Sequence, residues 1–138
     1  MSKRMALHGA IVMLVAALGC GPVAAQQAGQ TPGIKRTILE THDVPGTKYE
    51  SVLGIAEIPS NTEFPRHTHP GTENSYVLEG SLTLNADGQP ERTLKAGESS
   101  FMPAEHPHWG KAGPSGAKVL AVWTVEKGKP LASPAPPK

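Results

Sequence analysis

Cysteine is almost missing from this 138-residue chain: Cys20 stands alone, in an N-terminal stretch that reads as removable. A mature chain without it has no thiolate nucleophile, no thiolate metal ligand and no disulfide. Aromatic residues amount to 4%, so the two tryptophans and two phenylalanines read as core rather than as a stacking platform. An excess of charge of one sign is missing too. The 13 Lys and Arg oppose 12 Asp and Glu, and removal of Lys3 and Arg4 would leave a formal charge near −1, which offers no grip on nucleic acid or an anionic membrane surface. No apolar run is long enough to span a bilayer comfortably, so no stable membrane insertion is expected. There is no phosphate-cradling glycine loop, no nucleophile elbow and no second metal site.

What is present at the N-terminus is an export signal. Lys3 and Arg4 form a basic region, residues 11–18 an apolar one, and Val23-Ala24-Ala25 a small-residue cleavage site. Residues 1–25 are therefore expected to be a signal peptide, which places the protein in the periplasm or outside the cell. A lipoprotein acylated at Cys20 is the alternative, although Ala17 stands where such signals usually carry leucine. Lys3-Arg4 is not a twin-arginine pair, so export unfolded is expected, with any metal acquired afterwards. At the other end, residues 128–138 carry Pro130, Pro134, Pro136 and Pro137 among small residues. That composition predicts a disordered, mobile Pro-rich tail and leaves one folded domain over residues 34–127.

Within that domain the chain reads as short β segments separated by turn residues, with no convincing helix. Strands are expected at 35–41, 49–58, 63–69, 73–79, 81–85, 91–95, 99–102, 106–110 and 118–126, with a loop at 111–117. Asp87-Gly88 is a strong hairpin signal. Many short strands at this spacing argue for an all-β sandwich or barrel. Over 119–125 both alternating sets are apolar enough to be core, so the inward face stays open.

The most informative stretch is His67-Thr68-His69-Pro70-Gly71-Thr72-Glu73. Two imidazoles spaced i, i+2 lie on one face of a strand. Pro70-Gly71 turns the chain, and Glu73 opens the next strand pointing back into the same space. With His108, these residues offer three nitrogens and one carboxylate oxygen, a donor set for one divalent transition metal. By alternation Ser75 and Val77 share the face of Glu73 and are candidates for the pocket wall, while Tyr76 points away. His106 shares parity with His108 and is a candidate supporting residue, although a partly exposed turn histidine is the plainer reading.

Residues 67–80 and 97–108 resemble the two motifs of the cupin superfamily. In the first, G-x5-H-x-H-x3/4-E-x6-G, His67, His69, Glu73 and Gly80 match and Asn61 stands for the leading glycine. In the second, G-x5-P-x-G-x2-H-x3-N, Gly97, Pro103 and His108 match, while Glu105 replaces the second glycine and Ala112 the final asparagine. The resemblance covers residues 50–126 and selects, among all-β folds, the double-stranded β-helix or jelly roll. It implies His67, His69, Glu73 and His108 as ligands of iron, manganese, nickel, copper or zinc, a small-molecule substrate or ligand, and a homodimer. At Glu105 the family's glycine suggests positive φ. An altered turn, with Pro107 holding His106 extended, is the expectation there.

Two functions follow. One is a metal-dependent, dioxygenase-like or lyase-like cupin acting on a small hydroxylated organic molecule, with Glu73 a candidate base if it leaves the metal. The other is a periplasmic cupin that captures a metal or small ligand without turnover.

Overall fold

The computed structural model describes residues 31–137; the expected signal segment, with Cys20, lies outside the described residues. Alternating side chains build strands and, among the described residues, no helix. In order these are β1 (Lys35–Asp43), β2 (Tyr49–Ile58), β3 (Glu63–Thr68), β4 (Gly71–Ala86), β5 (Arg92–Lys95), β6 (Ser99–Met102), β7 (His108–Glu126) and β8 (Ser133–Pro134).

Every pairing is antiparallel, and β7 is central. Its C-terminal half pairs with β2 from Tyr49↔Glu126 to Ile58↔Ala117, and its N-terminal half pairs with β3. Along its other edge runs β4, from Gly71↔Val125 to Ala86↔His108. β4 carries β6 on its N-terminal half and β5 on its C-terminal half, while β1 flanks β2 and β8 flanks β3. The two long strands thus belong to both layers, β1-β2-β7-β4-β6 on one side and β8-β3-β7-β4-β5 on the other. This is the double-stranded β-helix.

Both long strands bend where they pass between layers. Gly80 pairs with Ala117, but the next pair is Leu82↔Ala112, so Ser81 faces an excursion of residues 113–116. Gly80 has φ +73°, and a Cβ there would strike the carbonyl of Gly116, so the crossing tolerates no side chain. Two carbonyls of the excursion are satisfied from the β2–β3 turn: Asn61 N–H donates to Gly113 O at 3.1 Å and the Ser60 hydroxyl to Pro114 O at 2.6 Å. The segments expected at 73–79 and 81–85 are therefore one strand, and the expected loop 111–117 belongs to β7. Glycine here bends strands without ending them.

On β7, Val119, Ala121, Trp123 and Val125 are buried and Leu120, Val122 and Thr124 lie on the outer face. The pattern left open from hydrophobicity is decided by which face meets the other layer. Val77, Leu82, Leu84, Leu94 and Met102 complete one core cluster, and Val52, Trp123, Val125 and Leu131 another.

The tail departs from the mobile segment expected. Leu131 is 2% exposed, and β8 pairs with β3 through His67↔Pro134 and Thr68↔Ser133. Ala135 N–H donates to Arg66 O at 3.1 Å, and Arg66 Nε to Pro136 O at 2.8 Å. Arg66 is itself held by a two-pronged pair with Asp87 and lies over the Trp109 ring. Proline suits a sheet edge because it need donate nothing outward, and burying one leucine contributes about 2 kcal/mol. Composition alone weighs the prolines and overlooks that leucine.

Candidate metal centre

β3 aims His67 and, just past its end, His69 into one cavity, as period-two alternation requires. His108 opens β7 directly across from His67, and Glu73 on β4 faces Met102 and Trp123. The chain's antiparallel return thus turns two distant motifs into cross-strand neighbours. One ligand atom from each of His67, His69, Glu73 and His108 lies within 4.8 Å of all the others, so this cluster can hold a metal ion. The ring centroids of His67 and His108 are 4.2 Å apart, those of His67 and His69 4.9 Å.

The orientation of each imidazole has a local cause. His67 Nδ1 donates to Pro65 O at 2.8 Å, His69 Nδ1 to Leu131 O at 2.5 Å and His108 Nδ1 to His106 O at 2.9 Å. With all three Nδ1 protons committed to backbone carbonyls, each ring in its neutral form presents Nε2 as a lone pair. His69 Nε2 is buried without a hydrogen-bond partner among the described residues, although Glu73 Oε2 is only 2.9 Å away. Glu73 Oε2 also approaches His108 Nε2, at 3.3 Å. At that distance an imidazole Nε2 and a carboxylate oxygen share either a proton or a metal ion, and the donor set fits a divalent transition metal.

Electrostatics divides the histidines. Burial, reinforced by the positive charge of His108 and His69, pulls His67 down to about 4, against the carbonyl of Pro65 and the charge of Glu73. Burial also opposes charge on His108, but its hydrogen bond and attraction to Glu73 outweigh burial and raise its pKa. Burial pushes Glu73 up, yet the close approach of His108 and His69, which favours its charged form, holds it well below the usual carboxylate range. An anionic Glu73 beside a neutral His67 is the protonation pattern that coordination requires.

The remaining sequence candidates are placed unevenly. Ser75 lines the cavity and shares a 2.7 Å hydrogen bond with Ser100. Val77 does not reach the cavity and packs in the core. His106 lies outside the lining and supports the site through its backbone carbonyl, which holds His108. Glu105 overturns the altered-turn expectation: its φ is 56°, the left-handed conformation of the family's glycine. There its N–H reaches His69 O at 2.9 Å, tying the second motif's turn to the first motif's histidine. Asn61, at the other missing glycine, has φ 54°, which asparagine tolerates well.

The cavity around the cluster measures about 260 Å³, below the ~300–1,000 Å³ of drug-sized sites. Sequence reasoning missed three of its features. Leu131 supplies the carbonyl that orients His69, and Ala132, Ser133 and Pro134 of the tail form wall. Arg36 enters from β1, its guanidinium 5.5 Å from the centre of the Trp123 ring. A signal for Arg36 existed, since Ile34, Arg36 and Ile38 alternate on one half-buried face, and a cation between two isoleucines on an inward face is unusual.

The cupin domain family matches residues 54–125. The chain belongs to the cupin family. A curated relative, the dimethylsulfoniopropionate lyase DddQ of Ruegeria pomeroyi, is 29% identical over 69 residues, 50% of this chain and 34% of that protein. The cupin thus spans about a third of the length of that relative. The crystal structure of the same lyase superposes with a TM-score of 0.64 at 21% identity, covering 74% of this chain and 51% of that one. A double-stranded β-helix protein from Klebsiella pneumoniae gives a TM-score of 0.60 at 17% identity, covering 78% and 89%. KdgF from a Halomonas species gives 0.57 at 19%, covering 71% and 84%. At these identities the superpositions speak for the fold. No helix among the described residues is long and apolar enough to cross a membrane.

Proposed function

We propose that this cupin is an exported mononuclear metalloenzyme, a lyase acting on a small organic molecule, with His67, His69, Glu73 and His108 as the metal ligands. The observation that carries the reading is the set of three imidazoles whose Nδ1 protons are all tied to carbonyls, so that their Nε2 atoms meet Glu73 inside a cavity with room for a further molecule. A bound divalent ion would supply Lewis acidity toward a substrate oxygen. The chain's own residues hold the ligands in one tautomer, and Met102, Trp123 and the tail residues Ala132 to Pro134 form the cavity wall around them. Lyase chemistry is favoured over the oxygenase reading by the partial likeness to a lyase of another organism. Glu73 is better suited to coordination than to proton abstraction, because its low pKa makes it a weak proton acceptor. Export through residues 1–25 and a homodimer are parts of the same proposal.

The test is metal analysis of the full chain expressed with its own N-terminus and recovered from the periplasm, followed by cleavage assays on dimethylsulfoniopropionate and on short hydroxy acids. Oxygen uptake with catechols and flavonols runs alongside. Stoichiometric metal with metal-dependent cleavage is expected. Metal-dependent oxygen consumption would replace the lyase by an oxygenase, and retained metal with no turnover would make the protein a binder.

A further inference from the structure

Arg36 and Trp123 present the cavity with an unbalanced set of polar groups. Arg36 Nε and Nη1 are buried without a hydrogen-bond partner among the described residues, and so is the indole Nε1 of Trp123. Both side chains line the cavity, and the guanidinium lies over the indole face. That stacking engages the faces of the two groups and leaves their N–H edges free. Every one of these orphaned atoms is a donor that cannot accept. Buried donors left unmade cost free energy, more so when they belong to a cation.

The described residues do not supply the missing acceptor. Glu73 is the one carboxylate among the described residues lining the cavity, and its oxygen is turned to His69 and His108. Arg36 feels its charge without a hydrogen bond from it. The other cavity cation, Arg66, is already matched by Asp87 and the Pro136 carbonyl. A guanidinium stays charged even when burial lowers its pKa, so it leaves a place for an anion that no described residue fills.

We propose that Arg36 and the Trp123 indole form an anion-binding subsite, and that the small molecule this cavity takes up carries a carboxylate seated on them. A carboxylate offers only acceptors, matches one guanidinium in charge, and fits its planar fork two-pronged. A phosphate carries more charge than one arginine neutralises, and the rest of the wall near Arg36 is apolar, with Ile34, Ala56 and Ile58. The subsite deepens the enzyme reading and rests on it only for what happens at the metal cluster. If a divalent ion occupies that cluster, the cavity's net charge becomes positive, which favours an anionic guest further.

The probes are propionate and its neutral isostere propionamide, titrated into the full chain as purified and again after chelation. Affinity is read by calorimetry and from the indole N–H resonance that Trp123→Phe removes. Propionate is expected to bind about ten- to a hundredfold more tightly than propionamide in both forms, the range expected for a hydrogen-bonded charge pair. Arg36→Gln and Arg36→Met should bring the ratio near one, and Arg36→Lys should keep part of it. Arg36→Met should also leave the melting temperature unchanged or raise it, because two buried donors without partners are removed. A wild-type ratio near one, which needs no variant, overturns the subsite, as does a ratio that survives Arg36→Gln. A full ratio in a protein that holds no metal and turns nothing over would sink the enzyme reading and leave the subsite standing.

Discussion

The centre of the chain and its two ends contribute differently to the same cavity. The central strands β3, β4 and β7 carry the four candidate ligands, each on a side chain aimed inward by alternation. The ends contribute what surrounds them: β1 brings Arg36, and the tail brings the Leu131 carbonyl, β8 and three wall residues. The centre is made of side chains whose identity names their chemistry. The ends act through a backbone carbonyl, an apolar anchor and a cation whose meaning comes only from its neighbours. A metal site can therefore be declared by its middle and completed by its termini.

The strongest way to break that division is to remove one central nitrogen. Replacing His67, His69 or His108 with Ala should lower metal affinity about a thousandfold, dividing structural-site binding energies among four ligands. Equilibrium dialysis against a metal buffer reads this, with Glu73→Gln expected to be milder because an amide oxygen still donates weakly. Equal affinity in His108→Ala would remove β7 from the site.

Against the ends, Leu131→Ala should destabilise the fold by about 3 kcal/mol through the cavity it leaves, measured by denaturant unfolding. It keeps the carbonyl that holds His69. Deleting residues 130–138 removes that carbonyl too and should cost a further loss of about ten- to a hundredfold in metal affinity. If the deletion binds metal as tightly as Leu131→Ala, the tail only packs and does not orient.

A pH titration of the metal-stripped protein sharpens the comparison inside the centre. Folded His67 titrates at about 4, below its ordinary 6.5, so on acidification the unfolded chain takes up its proton first. Stability from His67 is full above pH 6.5 and drains as the pH falls toward 4, a loss of about 3 kcal/mol. His108 works in the opposite direction, since its raised pKa favours the folded state at low pH. Unfolding midpoints at pH 7 and pH 4 should therefore differ more in the wild type than in His67→Gln. Identical differences would mean that His67 is not held neutral by the fold.

The smallest expected effect compares the two residues that stand for family glycines. Glu105→Gly should relieve left-handed strain and raise stability by about 1 kcal/mol, visible as a higher melting temperature. Asn61→Gly should change it little, since asparagine adopts that conformation readily. Destabilisation by Glu105→Gly would mean that its side chain contributes more than its backbone costs.

Much of the centre was legible without coordinates. His-x-His before a Pro-Gly turn, with Glu73 on the returning strand, can be placed on one face from the two-residue period alone. Asp87-Gly88 marks its hairpin for the same local reason. Gly80 and residues 111–117 misled, because glycine and proline punctuate a chain equally whether a strand ends or bends. Only the opposite strand shows which, and here Ser81 faces the excursion of 113–116. Val77, on the correct face of β4, was placed in the cavity because alternation gives the side of a sheet but not how far along it the cavity extends.

By itself, then, the sequence determined which atoms can ligate, on which strand faces they lie, and that these strands form an all-β sandwich or barrel, because each of these follows from residue type and a period of two. Tertiary structure alone decided that Leu131 anchors the tail, that its carbonyl holds His69, that Glu105 accepts positive φ to reach His69 O, and that Arg36 meets Trp123 with no hydrogen-bond partner for its buried donors among the described residues. Those four facts depend on which backbone and side-chain groups arrive at one place after the chain has closed on itself. An unsatisfied donor or a shared carbonyl is a property of an environment, and no single residue carries it.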